Sequence, residues 1–289
     1  MKYKQIITIL VIFTAILSLF ASTFGVFSTG GIGQHDITSI YGNRVSIYGK
    51  GLYQNDSISV ASQGIAQDII TMILGIPLLT ASLYLSRKGL LKGKLLLSGT
   101  LAYFLYTYTS YSFLWMYNSL FLIYVMLMSI SFFAFLLTMM SFDIESLPLH
   151  FNKKFPVKFL GSLFIFIGIS IGLMWIGRII PPLITHSIPP SLEHYTTLPI
   201  QALDLGFIVP LAFLTGILII KKKPFGYLLS SIITTKGITM LTSITAMIIG
   251  QISLGVKVSS IELIIFPAFN LIIIYCLFLV MKNVKEIVK

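Results

Sequence analysis

Charged residues are scarce in this sequence. They account for 10% of its 289 residues, whereas 56% are hydrophobic and the mean hydropathy is +0.95. A soluble domain of this size presents much more charge to water than that. The composition therefore excludes an ordinary soluble protein and predicts a chain whose solvent is the lipid bilayer.

Cysteine and nucleotide-binding motifs are lacking too. Cys276 is the single cysteine, which excludes an internal disulfide and a redox-active thiol pair. No Walker-type Gly-Lys-Ser/Thr loop occurs, and no polar stretch is long enough to fold by itself. These absences exclude a nucleotide-hydrolysing domain in this sequence. Transport against a gradient would then draw on an ion gradient or on a partner subunit in the membrane.

Metal-binding motifs are missing from the predicted helices. No His-x-x-x-His or Glu-x-x-His pair occurs on any of them, so no metal site is predicted. The sequence also does not indicate which cofactor, if any, the protein binds.

Eight apolar runs have the length of about 20 residues that crosses a bilayer core. We therefore predict an all-α, polytopic transmembrane helix bundle that forms one integral membrane domain over residues 1–289. The first run has one alternative: a Lys-flanked start and the small residues Ala21, Ser22 and Thr23 also fit a cleaved signal peptide, which would leave seven spans. The predicted spans are 6–27, 65–85, 95–115, 120–140, 159–179, 200–220, 225–250 and 261–281.

The basic residues are distributed unevenly between the two sides of such a bundle. Strict alternation of the eight spans puts fifteen of the twenty Lys and Arg residues on one side. Short loops rich in Lys and Arg stay in the cytoplasm, so both termini are predicted to be cytoplasmic in a plasma (inner) membrane. The formal charge of +11 then indicates anionic lipid headgroups, not nucleic acid, as the electrostatic partner. The fifteen residues are Lys2, Lys4, Arg87, Lys88, Lys92, Lys94, Lys153, Lys154, Lys158, Lys221, Lys222, Lys223, Lys282, Lys285 and Lys289.

An internal echo appears when the sequence is shifted by about 130 residues, with Pro77 falling on Pro210 as one of its matches. Both halves, 1–150 and 151–289, then read as four spans that begin in the cytoplasm. Parallel repeats of this kind occur in transporters, whereas the alternative is two unrelated span pairs with similar turns. The other matches are Leu78 with Leu211, Leu85 with Leu218, Lys88 with Lys221, Gly93 with Gly226, Leu95 with Leu228, Leu96 with Leu229 and Ser98 with Ser231.

Three acidic residues lie at the edge of predicted spans or inside them. Asp68, Asp204 and Glu262 occupy places where a charge is costly unless it is paired or hydrated. We interpret them as ligands of a substrate or an ion in a cavity that opens toward the outer side. The alternative is that they are interfacial acids that pair with Arg178 or Lys257.

Lys236 lies near the middle of the seventh predicted span, too deep for its ammonium group to reach either surface. A lysine at that depth costs at least about 2.5 to 3.5 kcal/mol on insertion scales. It is interpreted as a substrate or ion contact, or as a lysine that exchanges a proton; the alternative is a structural ion pair with Glu262. The internal echo places Tyr103 opposite Lys236, so both are predicted to line one cavity, with core packing of the tyrosine as the alternative.

Four short segments resemble those of an eight-span prokaryotic membrane family that is labelled uncharacterised. The resemblance covers most of the chain and implies a prokaryotic inner membrane, but it implies no activity and no site residues. The segments are Gly75-Ile76-Pro77-Leu78-Leu79, the run 106–111 (Tyr-Thr-Tyr-Thr-Ser-Tyr), Asp204-Leu205-Gly206 and Lys236-Gly237-Ile238-Thr239.

Three functions are compatible with these features. The first is a transporter or permease for a small molecule or ion, with Asp68, Tyr103, Asp204, Lys236 and Glu262 around its cavity. The second is a membrane enzyme that uses the same acids and external histidines on an external or lipid-linked substrate. The third is an accessory or sensor subunit without chemistry.

The predicted topology is tested by cysteine accessibility in intact cells. In a Cys276→Ala background, Gln54→Cys is expected to react with a membrane-impermeant thiol reagent, because it lies in an external loop. Lys222→Cys is expected to react only after the membrane is opened. The reverse labelling pattern would show that the orientation is wrong.

Overall fold

The computed structural model describes residues 3–286, and within them the chain forms eight long helices. The predicted helical membrane architecture is confirmed: 74% of the structure is helical, and seven helices are long and apolar enough to cross a membrane. Lys2 and Lys289, two of the basic residues used for the orientation, lie outside the described residues. The helices are α1 (Lys4–Phe27), α2 (Ile58–Arg87), α3 (Leu91–Phe113), α4 (Phe121–Met140), α5 (Val157–Ile184), α6 (Pro199–Ile220), α7 (Pro224–Ser253) and α8 (Ser260–Asn283).

Two differences from the sequence-based prediction lie between the end of α1 and the first turns of α2. Helix α2 begins at Ile58, seven residues before the predicted start at 65, because Ser57 caps it by accepting a hydrogen bond from the backbone of Val60 at 3.2 Å. The segment between α1 and α2 also contains an antiparallel hairpin of β1 (His35–Thr38) and β2 (Arg44–Ile47), so the predicted all-α fold is not purely α-helical.

Helix α3 is the helix that does not reach the apolarity of a lipid-facing span. It is rich in Tyr, Thr and Ser, and it packs against α2, α4 and α7. Leu97, Leu101 and Tyr103 are fully buried, and so is the polar Thr100. Because protein surrounds this helix, its hydroxyl groups do not face hydrocarbon, and an apolar composition is not needed there.

The central helices α3 and α7 approach each other closely at Gly99. A Cβ atom built on Gly99 would lie 2.3 Å from Cβ of Thr235 and 3.0 Å from the carbonyl oxygen of Ile232. Only a residue without a side chain fits this crossing, as is typical of closely packed membrane helices. The contact of α3 with α7 joins residues 1–150 to residues 151–289.

Helices α2 and α6 share an irregularity. Each contains one wide π-helical turn, Thr71–Gly75 in α2 and Asp204–Ile208 in α6. Pro77 and Pro210 follow these turns, and a proline has no N–H group to donate to the carbonyl four residues before it. The π turn lies where that hydrogen bond is missing, as such turns often do at functional sites.

The end of the bundle that carries most basic residues is closed by the C-terminal segment. The carboxylate of Glu286 accepts hydrogen bonds from the backbone N–H groups of Leu91 (2.7 Å) and Lys92 (2.9 Å). It thereby caps the start of α3, where free N–H groups favour a negative charge. Phe151 and Val284 form an isolated β-bridge beside it.

We expect Gly99→Ala to destabilise the protein by about 1 to 3 kcal/mol, because the new methyl group has no room between α3 and α7. Gly177→Ala in α5 is the matched control, since a Cβ atom there meets nothing within 4 Å and alanine favours helix. Thermal unfolding in detergent measures both. Equal melting temperatures for the two variants would contradict the close crossing.

Candidate functional site

Asp204 lies on the π turn of α6, and each of its carboxylate oxygens accepts a hydrogen bond from another helix. The hydroxyl of Tyr106 in α3 donates to Oδ1 at 2.7 Å, and the indole N–H of Trp175 in α5 donates to Oδ2 at 2.8 Å. The carboxylate is therefore fixed in position by side chains from both halves of the sequence. It is half-buried, so it keeps some access to its surroundings.

Lys236 in α7 belongs to the same cluster. Its ammonium nitrogen lies 4.0 Å from the ring centroid of Tyr106, and Asp204 is the carboxylate with which its charge interacts. The ion pairs among residues 3–286, with a nitrogen and an oxygen within 4.0 Å, do not include Lys236. The ammonium group is thus held by a cation–π contact near a carboxylate that it does not touch.

Tyr103 belongs to a second polar network, between α2 and α3. Its hydroxyl accepts a hydrogen bond from Nε2 of Gln67 at 2.7 Å and shares another with the hydroxyl of Thr71 at 2.9 Å. Nε2 of Gln67 also donates to Thr107 at 3.1 Å. The structure therefore assigns Tyr106, not Tyr103, as the aromatic neighbour of Lys236.

Asp68 is buried beside this second network, at 2% exposure. The hydroxyl of Tyr53 donates to Oδ2 at 2.5 Å, and the hydroxyl of Tyr111 donates to Oδ1 at 3.1 Å. Tyr53 comes from the segment between the hairpin and α2, so this segment reaches into the bundle. Asp68 interacts electrostatically with Tyr103, and both residues lie within the first half of the chain.

Glu262 lies apart from the other predicted site residues. It forms an ion pair with Arg178 at 2.6 Å, and both side chains are partly exposed to solvent. The interpretation of Glu262 as an acid that pairs with Arg178 therefore fits the structure, and the alternative ion pair with Lys236 does not. Arg178 belongs to α5, which continues beyond its predicted end at 179 as far as Ile184.

A third polar cluster joins the two long loops at the opposite end from Glu286. Oδ1 of Asp56 accepts hydrogen bonds from the hydroxyl of Tyr195 at 2.9 Å and from the backbone of Met116 at 3.0 Å. The ring of His194 makes a 3.1 Å contact with the carbonyl oxygen of Asn55. Oδ2 of Asp56, one oxygen of Glu193 and Nδ1 of His194 are buried without a partner among the described residues.

Burial raises the pKa of Asp56 to about 7 and also raises the pKa of Glu193. The hydrogen bonds from Met116 and Tyr195 act in the opposite direction on Asp56 but do not offset the burial. The nearby charge of Glu193 adds to the cost of ionising Asp56. Near neutral pH the two loops therefore meet around a carboxyl group that is partly protonated.

Several residues of these clusters were not predicted from the sequence, among them Trp175 and Tyr53. Trp175 was not predicted, although a tryptophan deep in a span is a usable signal because the chain has two tryptophans in all. Tyr53 gave no signal in the sequence, because it lies outside the predicted spans. Its contact with Asp68 depends on how the loop folds back onto the helices.

We expect the free energy of unfolding to fall as the pH rises from about 4 to about 7, and then to level off. The pKa of Asp56 is about 7 in the folded protein, above its unfolded value of about 3.9, so the neutral form stabilises the fold and that stability is lost on ionisation. At about 1.4 kcal/mol for each pH unit, the loss reaches at most about 4 kcal/mol.

Unfolding of the wild type and of Asp56→Asn across this pH range provides the measurement. Glu193, His194 and Tyr195 face the same cluster and are present in both proteins, so only the difference between the two curves reports on Asp56. The Asn variant is expected to show the flatter curve. Parallel curves would show that Asp56 has the same pKa in the folded and unfolded states.

Comparisons with known proteins add nothing to this geometry: no family model, no curated protein and no solved structure matches the chain. The resemblance to an eight-span prokaryotic family stays a prediction. The functional argument therefore depends on the three clusters alone.

Proposed function

We propose that this multi-pass membrane protein is a transporter or permease whose substrate site is formed by Asp204, Lys236, Tyr106 and Trp175. The site lies where α3 of the first half meets α5, α6 and α7 of the second half. Its substrate is a small molecule or ion that carries charge.

The proposal includes α3 as the eighth span. Its 23 residues correspond to about 34 Å of helix, enough for a bilayer core. Its polar face is enclosed by α2, α4 and α7. A span of this kind is polar because it is central, and central helices line the pathways of transporters.

The basic end of the bundle is proposed to face the cytoplasm of an inner membrane. Lys4, Arg87, Lys92 and Lys282 lie at helix ends that the alternation of the eight helices brings to this end. Arg87 also hydrogen-bonds Thr8 of α1 there at 3.0 Å. Anionic headgroups are its proposed lipid partners.

A four-plus-four repeat is supported by the helix bounds. The π turns Thr71–Gly75 and Asp204–Ile208, and the helical segments Ile76–Arg87 and Val209–Ile220 that follow, are offset by about 130 residues at both ends. The same offset separates Leu91 from Pro224, where α3 and α7 begin. Transporter folds are often built from such repeats, with the substrate at their interface.

One observation carries the proposal: Lys236 and Asp204 are neighbouring charges inside the bundle that do not form an ion pair. A purely structural pair would be in contact, because each charge otherwise stays poorly compensated in a low-dielectric interior. Separated charges leave an ammonium and a carboxylate free to contact a ligand. A discontinuous helix at Asp204 adds backbone groups to such a site.

The third polar cluster, around Asp56, favours a second candidate function. Asp56, Glu193 and His194 each have a buried polar atom without a partner among residues 3–286, which is compatible with acid/base groups of a membrane enzyme. Tyr195 and Asn55 already use other atoms of this cluster to hold the loops together. A structural role therefore accounts for most of its contacts, and transport remains the better-supported function.

Reconstitution into proteoliposomes tests the transport proposal. Concentration jumps of a panel of amino acids, amines and carboxylates are applied to vesicles on a solid-supported membrane. At least one charged solute is expected to give a transient current, and Lys236→Met is expected to reduce it at least about tenfold. Lys257→Met, which removes an exposed lysine, is the matched control and is expected to keep the wild-type current.

Thermal unfolding of the same variants separates a binding role from a structural one. Lys236→Met is expected to keep or gain stability, because a costly buried charge is removed. If Lys236→Met instead lost much stability, and the double variant Lys236→Met with Asp204→Asn regained it, the two residues would form a structural pair. Absence of current for every solute in the panel would count against transport itself.

A further inference from the structure

Asp68 is a carboxyl group inside the bundle that has no basic partner in the part of the chain that the structure describes. It lies ten residues into α2, about 15 Å from the start of that helix, and only 2% of its surface is exposed. The ion pairs found among residues 3–286 join Arg44 to Asp36 and Arg178 to Glu262. The groups that contact Asp68 are hydroxyls, from Tyr53 and Tyr111.

An ionised carboxylate in such a place is unfavourable. Two hydroxyl donors recover part of its lost hydration, but neither brings a positive charge. The group therefore has to be neutralised by something that the protein does not itself supply. A proton or a small cation does this, and nothing larger is required.

The surroundings of Asp68 contain hydrogen-bonding capacity that the protein leaves unused. The hydroxyls of Tyr108 and Tyr124 are buried without a partner in the described part of the chain, and both residues interact electrostatically with Asp68. The hydroxyl of Ser22 in α1 is also buried and interacts with the carboxyl group, although no hydrogen bond of good geometry to it is formed among the described residues. These oxygens accept a hydrogen bond from a protonated carboxyl group, or coordinate a cation.

Rings enclose this group of oxygens and separate it from lipid. The ring centroids of Tyr111 and Tyr124 are 5.1 Å apart, and those of Tyr111 and Trp115 are 4.3 Å apart. On the remaining side, a Cβ atom on Gly25 of α1 would lie 1.9 Å from Oδ2 of Asp68. The backbone of α1 therefore closes the site directly over the carboxyl group.

We propose that Asp68 is the binding residue of an occluded site for one monovalent positive charge, a proton or a sodium ion. Tyr53 and Tyr111 orient the carboxyl group, and Ser22, Tyr108 and Tyr124 supply the remaining oxygens. The site is separate from Lys236 and Asp204 and does not depend on the solute that binds there. If the protein is a transporter, this is where an ion gradient enters its mechanism.

Infrared spectroscopy of the carboxyl group tests the proposal. Spectra of the wild type and of Asp68→Asn are recorded at neutral pH, in sodium chloride and in choline chloride. The difference between them isolates one carboxyl group, because Asp56 and Glu193 are present in both proteins. A C=O band of a protonated acid, present in both salts and lost in the variant, identifies a proton as the occupant.

A sodium ion gives another pattern: the protonated band appears only when choline replaces sodium. A carboxylate band from Asp68 in both salts, with no protonated band in either, would overturn the proposal. Asp204→Asn is the matched control, since it removes a carboxyl group from the other half and is expected to leave the difference band unchanged.

Tyr53→Phe provides a second variant in case Asp68→Asn does not fold. It removes the 2.5 Å hydrogen bond to Oδ2 and leaves the carboxyl group in place. The protonated band is expected to shift to higher frequency in the salt where it is seen, because the C=O group has lost a donor. A folded Tyr53→Phe protein with an unshifted spectrum in both salts would also count against the site.

Discussion

The bilayer core offers no water to a polar group, and the arrangement of this protein follows from that constraint. Helix α3 has the composition least compatible with lipid, so it lies inside, with the more apolar helices around it. The outer helices in turn present large hydrophobic residues, such as Phe20 in α1 and Ile264 in α8, to the surroundings. Polarity is therefore concentrated around α3, where Gln67, Thr71 and Asp204 find hydrogen-bond partners.

That concentration makes α3 the common element of both polar networks. Tyr103 contacts Gln67 and Thr71 of α2, whereas Tyr106, three residues further on, contacts Asp204 of α6. Residues three apart lie on the same side of a helix. A small rotation or shift of α3 would therefore change hydrogen bonds in both halves together, which gives the bundle a physical means of coupling two sites.

The helices could be predicted because hydropathy is a local property. All eight predicted spans correspond to helices, including α3, whose sequence is only moderately apolar. The start of α2 at Ile58 could not be predicted from apolar periodicity, since its first turns are covered by protein and are not selected for lipid contact. The β-hairpin of residues 35–47 is short and polar, and its pairing depends on loop geometry.

The site residues were predictable as a class but not as partners. A charge in a span is conspicuous in sequence, which singled out Asp68, Asp204 and Lys236. Which polar side chains contact each other depends on the rotation of each helix and on the crossing of α3 with α7. Neither can be inferred from the hydropathy pattern of one sequence. Pairing of Glu262 with Arg178, 84 residues away in the chain, was one of the stated alternatives, but hydropathy alone did not favour it over a place in the cavity.

The cap on α3 has a consequence for how the protein is made. Glu286 follows Leu91 by 195 residues, so the first turn of α3 leaves the ribosome long before its capping carboxylate exists. Until then, the amide groups at the start of this helix depend on water or on headgroups for their hydrogen bonds. The cap on the innermost helix therefore forms only after α3 to α8 have all been synthesised, because Leu91 begins α3 and Glu286 follows α8 in the sequence.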